Sequence, residues 1–378
     1  MIIILKPDIA PDGPEVRALI AQASRYPNIA TKVHSYRGEN HLLTEVHLIG
    51  ETKVVPAEPF AEQPSVVRVV RVSEKYRVLG RHDGQVDAVG FEYRGIRFGQ
   101  DTLNVFPGLC AVDNRENVEA TFAAIGAAGV KTARMGAYKP RTSPYDFQGH
   151  GKDCLPYVFE LAAKYGVQVV AMEITREAHL DEIREVLQKL GNVTGVMLQI
   201  GTRNAQNFEL LKVAGQQREF PVLFKRGMGI TLEEALNACE YVASEGNSNI
   251  VFCLRGVKTH LGAPHRNLID FSHVPVVKRM TRLPVCVDPS HSAGRRTVSP
   301  DGISEIHHAT AEGIILGANM VLVDFHPDPA HALCDGPQAL TLEELPSFLE
   351  DVRLVRQTYL ARVERARKST EKRTEKSS

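Results

Sequence analysis

Six cationic side chains in this sequence, Arg134, Lys139, Arg141, Arg203, Lys225 and Arg255, fall at or just after the ends of short apolar runs. Any one of them alone reads as a solvated loop residue, because charged side chains are mostly exposed. Six of them over four run ends point elsewhere. Guanidinium forks bind carboxylate and phosphate oxygens in pairs and lysine adds a compact charge, so the pattern calls for a ligand with several anionic groups. The chain carries 45 basic against 45 acidic residues, which leaves no general pull on nucleic acid and makes any anion binding local. Cys110, His291, Asp324 and Asp335 form a second set at or after run ends. Separately they read as a core thiol, a hydrogen-bonded histidine and two loop carboxylates. Together they suit one divalent metal ion (Mn, Fe, Co or Zn) with a position open to substrate or water.

Both sets need a scaffold that brings distant run ends together. The apolar runs cover 103–112, 130–135, 167–172, 196–200, 222–224, 250–254, 285–287 and 320–323, and each precedes a segment long enough for a helix, such as 115–128, 232–243 and 301–316. Short continuous apolar runs suit parallel strands buried on both faces. Eight β-then-α units in about 250 residues are the size of a TIM barrel, an α/β fold whose catalytic groups lie at the carboxyl ends of the strands. A doubly wound open sheet is the alternative, and it normally uses fewer strands. On the barrel reading, Glu173 and Asp288 also fall at strand ends.

Ahead of the (β/α)8 barrel, residues 1–72 alternate strand-like and helical stretches in the order of a small α+β, ferredoxin-like domain, although 56–64 reads as loop. Residues 73–102 read as a charged linker followed by a β-hairpin around Tyr93-Arg94, residues 103–365 as the catalytic barrel with a charged amphipathic helix over 342–365, and residues 366–378 as a disordered polar tail. The opening apolar run meets Lys6-Pro7-Asp8 at once and no run approaches the roughly 20 apolar residues of a membrane span, so the expectation is a cytoplasmic protein without membrane association. The six cysteines contain no CxxC pair. Reduced thiols are expected, five of them as packing residues and Cys110 as a site residue.

Lys139-Pro140-Arg141-Thr142-Ser143 followed by Pro144-Tyr145-Asp146-Phe147-Gln148-Gly149 resembles the substrate loop of 3-deoxy-D-arabino-heptulosonate 7-phosphate (DAHP) synthases. Gln199-Ile200-Gly201-Thr202-Arg203-Asn204, Lys225-Arg226-Gly227-Met228, Arg255-Gly256, Arg266-Asn267 and Asp288-Pro289-Ser290-His291 continue the resemblance from about residue 100 to 345. The sister synthases of 3-deoxy-D-manno-octulosonate 8-phosphate have Lys-Ala-Asn-Arg-Ser in the substrate loop. The resemblance implies a metal-dependent condensation of phosphoenolpyruvate with erythrose 4-phosphate, the first step of the shikimate pathway leading to aromatic amino acids. It implies that Arg134, Lys139, Arg203, Lys225 and Arg255 hold phosphoenolpyruvate, that Arg141 and Thr142 hold the aldose phosphate, and that Asp288 belongs to the substrate-binding set. By the same resemblance Cys110, His291, Asp324 and Asp335 bind the metal, while Lys139, Glu173 and His291 serve the chemistry. The N-terminal unit is similar to the regulatory domain of one branch, which implies an aromatic amino acid effector, and the family implies a homodimer or homotetramer. Leu109 stands where the family has Pro, and Asp113 and Asp324 where it has Glu. The alternatives are a sister synthase using another aldose phosphate and a non-catalytic binding protein on the same barrel. An imine-forming aldolase is disfavoured because Arg255 occupies the position of its lysine.

Overall fold

A computed structural model describes residues 1–37, 41–72, 76–82 and 90–375. The first unit contains β1 (Ile2–Leu5), β2 (Ile29–Arg37), β3 (Leu42–Gly50) and β4 (Val66–Val70), with helices at Pro14–Ala23 and Glu58–Ala61. Its sheet order is β2-β3-β1-β4, and central β1 runs antiparallel to both neighbours. This is the ferredoxin-like arrangement that the element order predicts. Val16, Leu19 and Ala23 recur on one face of the first helix and are buried on the sheet. The second helix, expected to be loop, is a single turn whose Phe60 completes that core.

Residues 76–82 correct the expectation of a free linker. Tyr76, Val78 and Leu79 are buried in the outer core of the barrel, and the N–H groups of Val78 and Leu79 donate to the Glu240 carboxylate at 2.6 and 3.1 Å. Within the expected linker, residues 73–75 and 83–87 lie outside the described residues. The hairpin follows as β5 (Gly90–Tyr93) and β6 (Ile96–Gly99). Its turn residues Arg94 and Gly95 both have positive φ, 53° and 73°, the conformation that matches a two-residue turn to strand twist.

The barrel strands are β7 (Asn104–Leu109), β8 (Thr132–Met135), β9 (Val169–Ile174), β10 (Gly195–Ile200), β11 (Val222–Lys225), β12 (Ile250–Leu254), β13 (Val285–Val287) and β14 (Met320–His326). They pair in chain order, and β14 pairs with both β13 and β7, which closes the cylinder. All the pairings are parallel, and each strand after the first is reached through a covering helical layer. The last strand runs to His326 because a short β15 (Leu340–Thr341) pairs with Phe325 and His326, so Asp324 lies inside the strand. The helix expected from residue 301 begins at Glu305, where the Ser304 hydroxyl caps it by accepting from the His307 N–H.

The final helix corrects the expectation of a disordered tail. It spans Leu345–Glu375, because residues 366–375 are rich in helix-forming Lys, Arg and Glu. Residues 376–378 lie outside the described residues. Among the described residues no helix is long and apolar enough to cross a membrane.

At the amino ends of the strands the barrel is filled with apolar side chains. Phe98 of the hairpin packs with Phe106, Val169, Met197, Leu223 and Met320, and the Tyr93 hydroxyl accepts the Val196 N–H at 3.1 Å. The hairpin therefore plugs this end and leaves the opposite end for chemistry. Replacing the fully buried Phe98 with Ala should destabilise the protein by about 3–5 kcal/mol through lost transfer energy and a residual cavity; a urea midpoint within error of the parent would contradict the plug.

Candidate active site

The carboxyl end of the barrel is polar because of one level of strand register. Asp324 of β14 is level with Gly108 of β7, and Gly108 is level with Arg134 of β8. In a parallel barrel, alternate strands point inward at a given level, so Asp324 and Arg134 meet across a strand that presents no side chain. Gly108 has φ +147°, and a Cβ there would come within 2.2 Å of the Arg134 carbonyl oxygen. The result is a buried, tightly hydrogen-bonded ion pair between the Arg134 guanidinium and Asp324 Oδ1. The second Asp324 oxygen accepts from Gln338 Nε2 at 2.6 Å.

Against this pair lies the expected donor set. Cys110 Sγ is 3.5 Å from His291 Nε2 and 3.1 Å from Asp335 Oδ2. His291 stands on the short helix Pro289–Ala293, whose N-cap is Asp288. Asp288 accepts the His291 N–H at 3.0 Å and also faces the ring Nδ1 at 3.1 Å. It thereby orients the imidazole with Nε2 toward Cys110 and Asp335, the support usual for a metal-binding histidine. Burial pushes the Cys110 thiol well up, with added contributions from Cys334 and the Asp324 charge; a cation that takes the thiolate replaces that proton. Burial would likewise raise the Asp335 carboxyl, but the hydrogen bond and charge of His291, together with Lys139 and Arg266, hold it far below the usual range. Two soft-to-borderline donor types and carboxylates converging in this way fit a divalent transition ion.

The cations divide into a deep group and a rim group. Arg134, Lys139, Lys225 and Arg255 are buried and line one cavity with Glu173, His291 and Asp335. Lys139 Nζ donates to Cys110 Sγ at 2.8 Å and lies 3.6 Å from Asp335. Burial disfavours its ammonium, but the neighbouring Cys110, Cys334 and Asp335 raise its pKa overall. Among the described residues, Arg134 Nε, Arg255 Nε and Arg255 Nη1 are buried donors without a hydrogen-bond partner. Buried polar groups are rarely left so, and both arginines line the cavity, as an anionic ligand requires. Arg141, Thr142 and Arg203 form the rim: Arg203 donates to the Thr142 hydroxyl at 2.9 Å, and Arg141 pairs with Asp146 at 3.2 Å. Glu173 accepts from Gln199 at 3.1 Å, and Gly201 leaves room for it, since a Cβ there would overlap its carboxylate at 1.8 Å.

Asp288 departs from its expected substrate-binding place. Its carboxylate is wholly buried behind His291 and Lys225, the latter at 2.5 Å, so it acts on ligands only through those two residues. Cys334, grouped in the sequence with the packing cysteines, instead joins the donor cluster beside Cys110 and Asp335. Arg266, present in a recognised motif but given no role, pairs with Asp335 at 3.0 Å. Its position after a helix-length gap from β12 hides that partner in the sequence. Leu109 is buried in the layer between barrel and helices, so its difference from the family proline is a packing change.

Comparison with known proteins now bears on this arrangement. Residues 73–360 match the DAHP synthetase I family. The chain belongs to that family. It is 37% identical to a phospho-2-dehydro-3-deoxyheptonate aldolase of Thermotoga maritima, over 93% of this chain and 97% of that protein. A crystal structure of the Thermotoga DAHP synthase superposes with a TM-score of 0.68, covering 94% of this chain and 97% of that one at 34% identity. A 2-dehydro-3-deoxyphosphooctonate aldolase of Syntrophobacter fumaroxidans is more distant, 26% identical over 71% of this chain and 94% of that protein. The DAHP synthetase I match covers the whole barrel and every residue of the deep and rim groups.

Replacing Arg255 with Ala should weaken binding of inorganic phosphate at least tenfold, about 1.5–3 kcal/mol for lost charge-assisted hydrogen bonds. The phosphate-dependent rise in melting temperature measures it, and an undiminished rise would place the anion elsewhere.

Proposed function

We propose that this mouth condenses phosphoenolpyruvate with erythrose 4-phosphate to give DAHP and inorganic phosphate, with phosphoenolpyruvate on the deep cations and the rim Arg203, and the aldose phosphate on Arg141 and Thr142 of the rim. The observation that carries the proposal is the set of buried guanidinium donors, Arg134 Nε, Arg255 Nε and Arg255 Nη1, that lack a hydrogen-bond partner among the described residues, in a mouth that also holds the Cys110, His291 and Asp335 donors. Lys225 and Arg255 take the phosphate of phosphoenolpyruvate with Arg203, Arg134 and Lys139 face its carboxylate, and Arg141 with Thr142 takes the distal phosphate of the aldose. Lys-Pro-Arg-Thr-Ser in the rim loop and the higher identity to the heptonate enzyme favour erythrose 4-phosphate over a longer sugar.

A divalent ion, when bound by Cys110, His291 and Asp335 with a further donor from Asp324 or Cys334, polarises the aldehyde carbonyl as a Lewis acid. The chain's own residues supply the rest. Buried arginines hold C3 of phosphoenolpyruvate against the aldehyde carbon, which converts an encounter into a positioned reaction. As the carbon–carbon bond forms, the aldehyde oxygen takes a proton from the Lys139 ammonium. Water adds to the cationic C2, and Glu173, held by Gln199, orients that water and accepts its proton. The C2–O bond to the phosphate then breaks as the C2 hydroxyl gives its proton to the departing phosphate, leaving the C2 ketone of the product.

The same reading places the enzyme in the cytoplasm at the entry to the shikimate pathway, as a homodimer or homotetramer. It gives the ferredoxin-like unit the role of binding an aromatic amino acid as feedback effector. The support for the last role is the split β-α-β sheet at residues 1–72, with its second helix reduced to one turn.

Two outcomes test the reaction. Metal-loaded protein should consume phosphoenolpyruvate, followed by loss of enolpyruvate absorbance, only with the aldose phosphate present and chelator absent. Lys139→Ala should lower kcat by about 10²–10⁴, and normal turnover by that variant would remove Lys139 from the chemistry. Thr142→Ala should raise KM for erythrose 4-phosphate while leaving KM for phosphoenolpyruvate nearly unchanged. The opposite pattern in steady-state kinetics would reverse the division between deep and rim groups.

A further inference from the structure

Cys334 lies outside the motifs that carry the family resemblance, yet its sulfur belongs to the donor cluster. Cys110 Sγ, Cys334 Sγ and an Asp335 carboxylate oxygen all lie within 4.8 Å of one another. Asp335 Oδ2 is their common neighbour, 3.1 Å from Cys110 Sγ, 3.2 Å from Cys334 Sγ and 3.6 Å from His291 Nε2. Successive side chains on an extended backbone point to opposite faces. Here Asp335 adopts a left-handed conformation, φ 55° and ψ 27°, and Cys334 and Asp335 address one point. A non-glycine residue in that region is a strained feature of the kind found at functional sites.

Asp324 is also near enough to reach the cluster, since Cys110, His291 and Asp324 offer atoms within 4.8 Å of one another. What else holds it decides the matter. Arg134 occupies one of its oxygens and Gln338 the other, and it approaches the His291 ring on the Nδ1 side, at 3.7 Å. That nitrogen already faces Asp288, at 3.0 Å. A metal-bound histidine uses one nitrogen for the ion and the other for a supporting carboxylate, so the ion side of His291 is Nε2, where Cys110 and Asp335 lie. Drawing Asp324 to the ion would separate it from Arg134, leaving a buried guanidinium with Nε already unpartnered. Asp324 is one methylene shorter than the glutamate of the resembling synthases, which makes that reach harder. Cys334 has no such competing cation bond, and it packs against Cys110 and Ala111.

We propose that Cys334, in place of Asp324, is the fourth protein donor to the cation, completing a set of two thiolates, one imidazole and one carboxylate with Cys110, His291 and Asp335. Asp324 is then a positioning residue that holds Arg134 over the cavity. The proposal rests on the reading of this mouth as a metal-dependent site. Two thiolates turn the site toward zinc, ferrous iron or cobalt and away from manganese, which favours oxygen donors.

The test is optical and independent of turnover. Full-length protein is stripped of metal and reconstituted with Co(II), and the thiolate-to-cobalt charge-transfer band in the near ultraviolet is measured together with bound cobalt per chain. The band scales with the number of Co–S bonds. Cys334→Ser should halve it, as should Cys110→Ser, while Asp324→Asn should keep both its intensity and the cobalt content. An undiminished band in Cys334→Ser, or loss of cobalt in Asp324→Asn, overturns the assignment. If Cys334→Ser fails to fold by circular dichroism, cadmium NMR of the unmutated protein decides: a resonance shifted as for two sulfur donors supports the proposal, and one shifted as for a single sulfur overturns it. A two-thiolate spectrum in a protein that does not condense phosphoenolpyruvate with erythrose 4-phosphate would refute the proposed reaction and leave the donor set standing. Turnover with a one-thiolate spectrum would do the reverse.

Discussion

Mutual compensation of buried charge at the carboxyl end of the barrel is the constraint on which the rest depends. Arg134, Lys139, Lys225, Asp288, His291 and Asp324 are all buried there, and no ion could remain in such a place without a partner of opposite sign. The pairs Arg134–Asp324 and Lys225–Asp288 satisfy that demand from within the protein. Among the described residues Arg255 Nε and Nη1 have no hydrogen-bond partner, and the proposed anionic ligand would supply one. On the proposed reading, the site is an incomplete charge set that a multiply anionic substrate completes.

The two ends of the barrel divide the work in a physically necessary way. At the amino end, Phe98 and its neighbours fill the cylinder with apolar volume, which stabilises the fold through burial and close packing. At the carboxyl end the same strands carry charges whose placement costs desolvation. The hydrophobic end and the covering helices offset that cost, and the plug at one end leaves the cavity open at the other. Gly108 shows how narrow the tolerance is, because with φ +147° a Cβ there would run into the Arg134 backbone of the neighbouring strand.

Most of the architecture was legible because buried parallel strands leave continuous apolar runs, and all eight barrel strands overlap the runs in which they were expected. The ferredoxin-like order was legible for a similar reason. Segments whose structure comes from contacts were misread: residues 76–82 are polar enough to resemble a linker, yet Tyr76, Val78 and Leu79 dock on the barrel. The helix at 366–375 has the polarity of a disordered tail but also the helix-forming residues and spacing to continue Leu345–Glu375.

For the site, residue type and position at strand ends were enough to bring Arg134, Lys139, Arg141, Arg203, Lys225 and Arg255 to one cavity, since parallel topology obliges every strand end to face the same mouth. The sequence alone therefore determined the barrel, the cations at its mouth and the family motifs that go with them. Only the tertiary structure decided which oxygen or sulfur faces which cation. It moved Asp288 from the cavity to a support behind His291, drew Arg266 and Cys334 into the cluster, and tied Asp324 to Arg134. Those assignments turn on ångström-scale register and on competition among partners brought together from distant parts of the chain. Neither is encoded by residue type or local spacing, because hydrogen bonds and ion pairs depend on distances that exist only after the barrel has closed.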